Sequence, residues 1–229
     1  ELNIDTHELV KQGKFGFDFN MAFGNNYNEI LEMDETVLES LNSDFNYGNR
    51  EVLQRVQIGN PFGAIYGFRY KGVYQYNYET VADMSIEERA EFLTSGKTAP
   101  IARTAEGNVV YDEDGLPLQM MYNYSNDGTS LPYKFKGGDA MYEDINHDGN
   151  INELDIVYLG NSNPKAQGGF GLTFNYKRLT FKANFTYRYD YDVMNTARMN
   201  VENMYTTNNQ SIAVNWRWRK EGDMTEIPR

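Results

Sequence analysis

The sequence predicts an all-β fold, and more narrowly the antiparallel strands of a membrane barrel. Three observations lead there. Phe15, Phe17, Phe19, Met21 and Phe23 alternate with Gly16, Asp18, Asn20, Ala22 and Gly24; strict period two over so many large apolar residues marks a strand with one apolar face. Residues 169–189 alternate the same way in two consecutive runs. Aromatic residues make up 14% of the 229-residue chain, with 18 Tyr and 13 Phe. Strands and turns use such residues, and helices do not favour them.

Taken in order, residues 2–24 read as a hairpin. Leu2 and Ile4 alternate with Asn3 and Asp5, a polar turn follows near Lys11–Lys14, and the Phe-rich strand returns. A sandwich strand rarely carries that many aromatics in one row, and its outer face is less often Gly, Asn and Ala. A weak helical or irregular segment is expected near Glu29–Leu41, and alternation resumes through Val52, Gln54, Val56 and Ile58. Gly59-Asn-Pro-Phe-Gly-Ala-Ile-Tyr-Gly-Phe68 is dense in Gly and aromatics.

Residues 75–136 read as a long acidic insertion. It contains one short helix, opened by the capping box Ser85-Ile-Glu-Glu88 and ending near Gly96. Asp114-Gly115 and Asn126-Asp-Gly128 are turn signals. In the 169–189 hairpin, a two-residue turn at Lys177-Arg178 pairs Tyr176 with Leu179, Phe174 with Phe181, Leu172 with Ala183 and Phe170 with Phe185. All eight then share one face, while Gly, Thr, Asn, Lys and Arg line the other. Lys-Arg is poor chemistry for a type I′ turn, which leaves a longer turn open. The second strand alternates over about ten residues, the length of a membrane strand, and Tyr187 and Tyr189 suit an aromatic girdle at its end. Residues 190–229 are polar and Asn-rich and read as a second long loop.

Composition removes several functions. The formal charge of −12 opposes nucleic acid as a partner, because phosphate binding needs clustered Lys and Arg. Absence of Cys excludes disulfides and thiolate metal sites. No run of about 18 apolar residues supplies a transmembrane helix, and the mean hydropathy of −0.68 does not exclude a barrel, whose strands turn only alternate residues to lipid. Glu1-Leu-Asn-Ile-Asp5 already alternates and Ile227-Pro-Arg229 is neither a cap nor a strand end, so the chain reads as a piece of a longer polypeptide.

One loop has the chemistry of a hard-cation site. Asp144, Asn146, Asp148 and Asp155 stand at positions 1, 3, 5 and 12 of a calcium-type loop, with Asn150 at position 7, Gly149 at the sharp turn and Ile151 as apolar anchor. Calcium takes six to eight oxygens on such a flexible loop, position 7 giving a main-chain carbonyl. Position 12 is Asp rather than the bidentate Glu, and no amphipathic helix leads in. An Asn/Asp/Gly turn without an ion is the plain alternative, and any ion there is structural. No catalytic residue stands out. His7 and His147 lack a neighbouring nucleophile, and Glu87-Glu88 and Asp112-Glu-Asp114 fix no carboxylate pair. No cofactor is indicated, and the chain is read as no enzyme.

The Gly137-Gly-Asp-Ala-Met-Tyr-Glu-Asp-Ile-Asn-His-Asp-Gly149 stretch, then Leu154-Asp155, Gly160-Asn-Ser-Asn-Pro164 and Gly169-Phe-Gly171, closely resembles the C-terminal barrel region of SusC/RagA-family TonB-dependent transporters. Gly59–Phe68 with Gly72-Val73, and Trp218–Asp223 with Ile227–Arg229, are similar to two further stretches of that family, in its order. The resemblance implies a segment of a large barrel in the Gram-negative cell outer membrane, with membrane hairpins near 2–24 and 169–189 and extracellular loops at 75–165 and 190–229. Lumens of barrels of about 22 strands are plugged, and the plug domain is absent from this chain. The resemblance further implies a SusD-like surface lipoprotein as partner, TonB acting through parts not in this chain, outer-membrane lipid around the strands, and oligosaccharide or peptide cargo. The alternative is a secreted, soluble β-rich module that binds glycans and holds calcium in its acidic loop.

Overall fold

A computed structural model describes residues 1–37, 56–123, 132–204 and 209–229. The alternation at 52–55, the turn signal at 126–128 and the end of the helical or irregular segment expected near 29–41, residues 38–41, lie outside them, while its residues 35–37 are helical. The strands are β1 (Leu2–Asp5), β2 (Val10–Gln12), β3 (Phe15–Asn25), β4 (Ala64–Phe68), β5 (Tyr70–Val73), β6 (Met121–Tyr122), β7 (Tyr133–Lys134), β8 (Ala140–Tyr142), β9 (Asn150–Ile151), β10 (Ile156–Asn161), β11 (Ala166–Tyr176) and β12 (Leu179–Tyr189). The helices are α1 (Tyr78–Ala82), α2 (Ile86–Thr94) and α3 (Thr196–Glu202), with 3-10 turns at Glu153–Asp155 and Ile212–Trp216. The described residues fall into two compact units, 1–37 with 56–65 and 159–194, and 66–123 with 132–158, 195–204 and 209–229.

The first unit is built on an antiparallel sheet in the order β1-β3-β11-β12, with β2 also on β3. Its hairpin has the register that the alternation demands: Tyr176 faces Leu179, Phe174 faces Phe181, Leu172 faces Ala183 and Phe170 faces Phe185. The same row continues across β3 as Phe15, Phe17, Phe19 and Met21, and onto β1 as Leu2 and Ile4. The turn keeps its two residues. Of the two turn residues only Lys177 takes positive φ, at 55°, the sign pattern of a type II′ rather than a type I′ turn. β11 starts at Ala166, three residues before the expected Gly169, because Asn25 continues β3 as its partner.

This sheet wears its aromatics outside. Leu179 is 70% exposed, Phe181 59% and Phe185 48%. Phe170 stacks on Phe185 at 4.8 Å and Phe17 meets Phe174 at 4.8 Å, so the rings form a continuous apolar surface on one face. The other face carries Asp18, Asn20, Thr173, Lys182, Asn184 and Thr186 by the same register.

The second unit has the opposite arrangement. Apart from Ala64 and Ile65, every buried hydrophobic residue among those described belongs to it, including Phe68, Val81, Phe92, Ile101, Ala102, Phe135, Ile151 and Trp218. It is assembled from short pieces. β5 pairs with β8, and β6 lies between β7, antiparallel, and β9, parallel. The Ser85 capping box forms as expected: the Ser85 hydroxyl accepts from the Glu88 N–H at 3.3 Å and the Glu88 carboxylate from the Ser85 N–H at 3.0 Å. Val81, Phe92 and Ala99 then make a small core, covered in part by Tyr76.

Two expectations need correction. One short helix was expected in the long loops, and α1 and α3 are further helices there. α3 forms in the Asn-rich tail because the Asn195 side chain caps the Arg198 N–H at 2.9 Å and Arg198 pairs with Glu202 one turn on, each a local stabiliser of a short helix. Residues 56–58 are not strand. Their neighbourhood is a turn whose main chain is tied elsewhere, with Gly59 N–H donating to Ile30 O at 2.8 Å and Ile30 N–H to Asn60 O at 3.0 Å.

Candidate functional site: the acidic loop and the ties around it

The Asp144–Asp155 loop enters from β8 and leaves through the 3-10 turn into β10. Gly149 makes the sharp turn at φ 81°, and Ile151, fully buried, anchors the loop in the second unit's core. The carboxylates are largely engaged with the loop's own main chain. Asp144 Oδ2 accepts from Gly149 N–H at 2.8 Å. Asp148 Oδ1 accepts from Asn150 N–H at 2.7 Å and its Oδ2 from the Asn146 amide at 2.8 Å. Asp155, fully buried, accepts from Ile145 N–H at 2.8 Å and Asn152 N–H at 2.9 Å. The His147 ring meets Arg103 O at 2.9 Å through Nδ1, which anchors the loop tip.

Sequence spacing thus locates the five residues in one loop, and the structure adds what their oxygens do. Among the described residues no three His, Asp or Glu groups converge as a metal cluster. One oxygen stands apart: Asp144 Oδ1 is shielded from solvent and has no hydrogen-bond partner. Burial pushes the Asp144 carboxyl up from the usual carboxylate range; the Gly149 N–H opposes this, Asp155 and Asp148 add to it, and the His147 main chain opposes it weakly. An unpaired, shielded carboxylate oxygen facing like charges fits a cation, which would relieve both penalties.

Two ties join stretches far apart in sequence. In the first unit, Asn163 Nδ2 donates to Phe62 O at 2.5 Å and Ser162 N–H to Gly63 O at 3.0 Å. Asp192 closes on the same connector, its Oδ2 accepting from Asn161 N–H at 2.8 Å. The two Gly-Asn-Pro-bearing stretches, Gly59–Gly63 and Gly160–Pro164, are therefore partners where the sheet's strands end.

The second tie lies in the second unit. The Trp218 ring covers Gly138, and Arg229 N–H donates to Gly138 O at 2.8 Å. Arg229 Nε bonds Asp139 Oδ1 at 2.9 Å. Glu221 Oε1 accepts from Asn77 N–H at 3.0 Å, the Asn77 amide at 2.9 Å and the Thr80 hydroxyl at 2.8 Å. Sequence reasoning quoted most of these residues but did not pair them; no local signal links positions so far apart.

Chemically, the site offers oxygen ligands and ties. It assembles no nucleophile beside a base. What the fold defines is a class: an antiparallel sheet with an outward aromatic face and strands of membrane length, whose long connections fold into a unit with its own core. No family model matches the chain. A TonB-dependent receptor, P39 of Formosa agariphila, is 25% identical over 230 residues, covering 96% of this chain and 19% of that protein. The chain thus spans about a fifth of the length of the curated relative it matches, and it is similar to a segment of that receptor.

Proposed function

We propose that this chain is part of the wall and loops of a SusC/RagA-type TonB-dependent transporter in the Gram-negative outer membrane. The observation that carries the reading is the contrast between the two units, one with its aromatics outside and one with them inside. Two solvents account for it. Lipid takes up the Phe face of the sheet, and water surrounds the second unit, whose apolar residues retreat into a core. Strand length supports the same reading. Eleven residues rise about 34 Å, and at a tilt of about 40° they cross about 26 Å, close to the ~25 Å apolar band of such barrels. Short connections lie at one end of the strands and long ones at the other, as periplasmic turns and extracellular loops do.

On this reading the whole protein imports glycan oligomers or peptides with a SusD-like lipoprotein at the surface and energy delivered through TonB. The resemblance and the distant likeness to a TonB-dependent receptor support that assignment. The chain performs no enzymatic step. A secreted soluble module is the weaker reading, since such a protein would leave Phe181, Phe185 and Leu179 in water. Detergent dependence tests the choice. The full-length protein should fractionate with the outer membrane and aggregate when detergent is withdrawn; a folded monomer without detergent would overturn the proposal.

The acidic loop is proposed to hold calcium as a structural ion, with Asp144, Asn146, Asp148, Asn150 and Asp155 as its oxygen-bearing residues and Asp144 Oδ1 as the oxygen free for it. Extracellular calcium sites bind at about 10⁻⁴ M, so ~1 mM calcium should stabilise the detergent-solubilised protein by about 1.4 kcal/mol. A chelator should reverse the gain, and Asp144→Asn should abolish it. Equal melting temperatures with calcium and with chelator would leave the loop as a hydrogen-bonded turn.

A further inference from the structure

A surface patch in the second unit remains outside everything described above. The 3-10 turn Ile212–Trp216 is pinned by Val214, which is buried, yet it leaves Ile212 78% and Trp216 72% exposed. The Thr225 hydroxyl donates to Trp216 O at 2.6 Å, bringing the adjacent Met224, 86% exposed, to the same turn. Among the described residues, three of the most exposed large apolar residues therefore sit on this turn or next to the residue bonded to it.

Cations border them. Arg217 Nη1 folds back to Val214 O at 3.3 Å and Arg219 Nη2 to Asn215 O at 2.9 Å, and Lys220 follows in sequence. None of the three is in an ion pair among the described residues. The nearest acid, Asp223, accepts from the main-chain N–H groups of Arg219 and Lys220 at 3.0 and 3.1 Å, and Glu221 is engaged with Asn77 and Thr80. Unpaired guanidinium groups held beside an exposed Trp, in a chain of net charge −12, are a local reversal of the protein's charge.

We infer that Trp216, with Ile212 and Met224 beside it and Arg217, Arg219 and Lys220 at its border, anchors a protein partner whose facing surface is an apolar pocket edged with carboxylates. The inference rests on the proposed reading that a surface lipoprotein sits on these loops, and it assigns that partner's contact point. Trp, Met and Arg are the residues enriched at interface centres, and Trp and Arg carry most hot spots. A sugar would want hydrogen-bonding side chains around the ring, where Ile and Met stand instead. A second copy is disfavoured because two chains of the same large negative charge repel. Guanidinium groups already held on main-chain carbonyls lose little freedom on binding, and the charge at the border speeds encounter with an acidic surface.

The test uses the full-length protein in its outer membrane, with a photo-crosslinking amino acid placed in turn at 216, at 111 and at 199. Cross-linking from 216 to one surface lipoprotein is expected, followed by titration of that purified lipoprotein against the detergent-solubilised protein. Trp216→Ala should weaken binding at least tenfold, and Arg217→Glu with Arg219→Glu should weaken it as much and remove its salt dependence. Ile86→Ala, at another exposed apolar residue, should stay within twofold. Products from 216 with lipopolysaccharide or with a second copy overturn the inference, as does a Trp216→Ala protein that binds normally. Cross-links to a lipoprotein from 111 or 199 but not 216 sink the patch and keep the lipoprotein reading; none from any of the three sinks both.

Discussion

Phe185→Arg should keep the full-length protein from accumulating in the outer membrane in folded form. Phe185 lies near the middle of β12, on the outward face, stacked on Phe170 at 4.8 Å. An Arg on the lipid face costs about 2–4 kcal/mol at the bilayer midplane and far less near the interfaces. Loss of the ring pair adds about 0.5–1.5 kcal/mol. The effect should follow depth and face. Phe181, nearer the Lys177-Arg178 turn, should tolerate Lys better than Phe185 tolerates Arg, although Phe181→Asp and Phe181→Lys should still slow assembly. Asn184→Lys, one residue from Phe185 but on the other face, should assemble normally, as Lys182 already does on that face. Heat-modifiable migration of membrane fractions on gels reads all of these. Water makes a weaker forecast: on a half-exposed face of a soluble sheet, Phe→Arg loses little beyond the ring pair, about 0.5–1.5 kcal/mol, and the protein still folds. Normal insertion of Phe185→Arg would therefore remove the lipid-facing reading.

The hairpin was legible because two constraints coincide there. Period two sets the face of each strand, and a short turn sets the register. A slip of one residue would turn Phe170, Leu172 and Phe174 to the polar side. The capping box at Ser85 was legible for a similar reason, since both of its hydrogen bonds span only three residues. The acidic loop was legible in spacing alone. Which oxygens remain for an ion depends on where the N–H groups of Ile145, Asn152 and Gly149 point, and spacing does not encode that.

The second unit was not legible as a unit. Its buried residues, such as Val73, Ala102, Met120 and Ile151, come from strands of two to four residues and from positions next to isolated bridges. Segments that short show no periodicity, so residues 75–165 and 190–229 read as loops, and nothing in them announces that the described residues of 75–158 and 195–229 belong to one compact unit. The composition did carry one signal. Ser85, Asn195, Asn152 and Asp112 all serve as caps or turn acceptors, and such local closures are what short connected elements need in place of long ladders.

Gly138→Ala should be the most damaging small substitution in that unit. Gly138 has φ 88°, and a Cβ built there would lie 2.3 Å from Trp218 Cε3. Left-handed backbone costs a non-glycine residue about 1–2 kcal/mol, and overpacking a filled site adds about 1–3 kcal/mol, so about 2–5 kcal/mol is expected in all. The obstacle is the indole ring itself, 8% exposed, on a residue whose main-chain N–H donates to Ile227 O at 2.9 Å, so a buried, bulky ring on a fixed main chain must give way rather than the end of a flexible chain. Displacing it also pulls on Arg229, whose N–H bonds Gly138 O. In the full-length protein labelled with fluorotryptophan, the fluorine resonance missing from Trp218→Phe is that of Trp218. Gly138→Ala should shift that resonance and lower the denaturant midpoint. Asp139→Asn, which removes the part-exposed ion pair to Arg229 while its amide oxygen can still accept from Tyr133 and Lys136, should cost about 1 kcal/mol or less. The two together separate close packing from charge as the source of the tie. An unshifted Trp218 resonance with an unchanged midpoint in Gly138→Ala would show that the ring does not need the glycine, and that the Gly-Gly-Asp stretch is held by its ion pair instead.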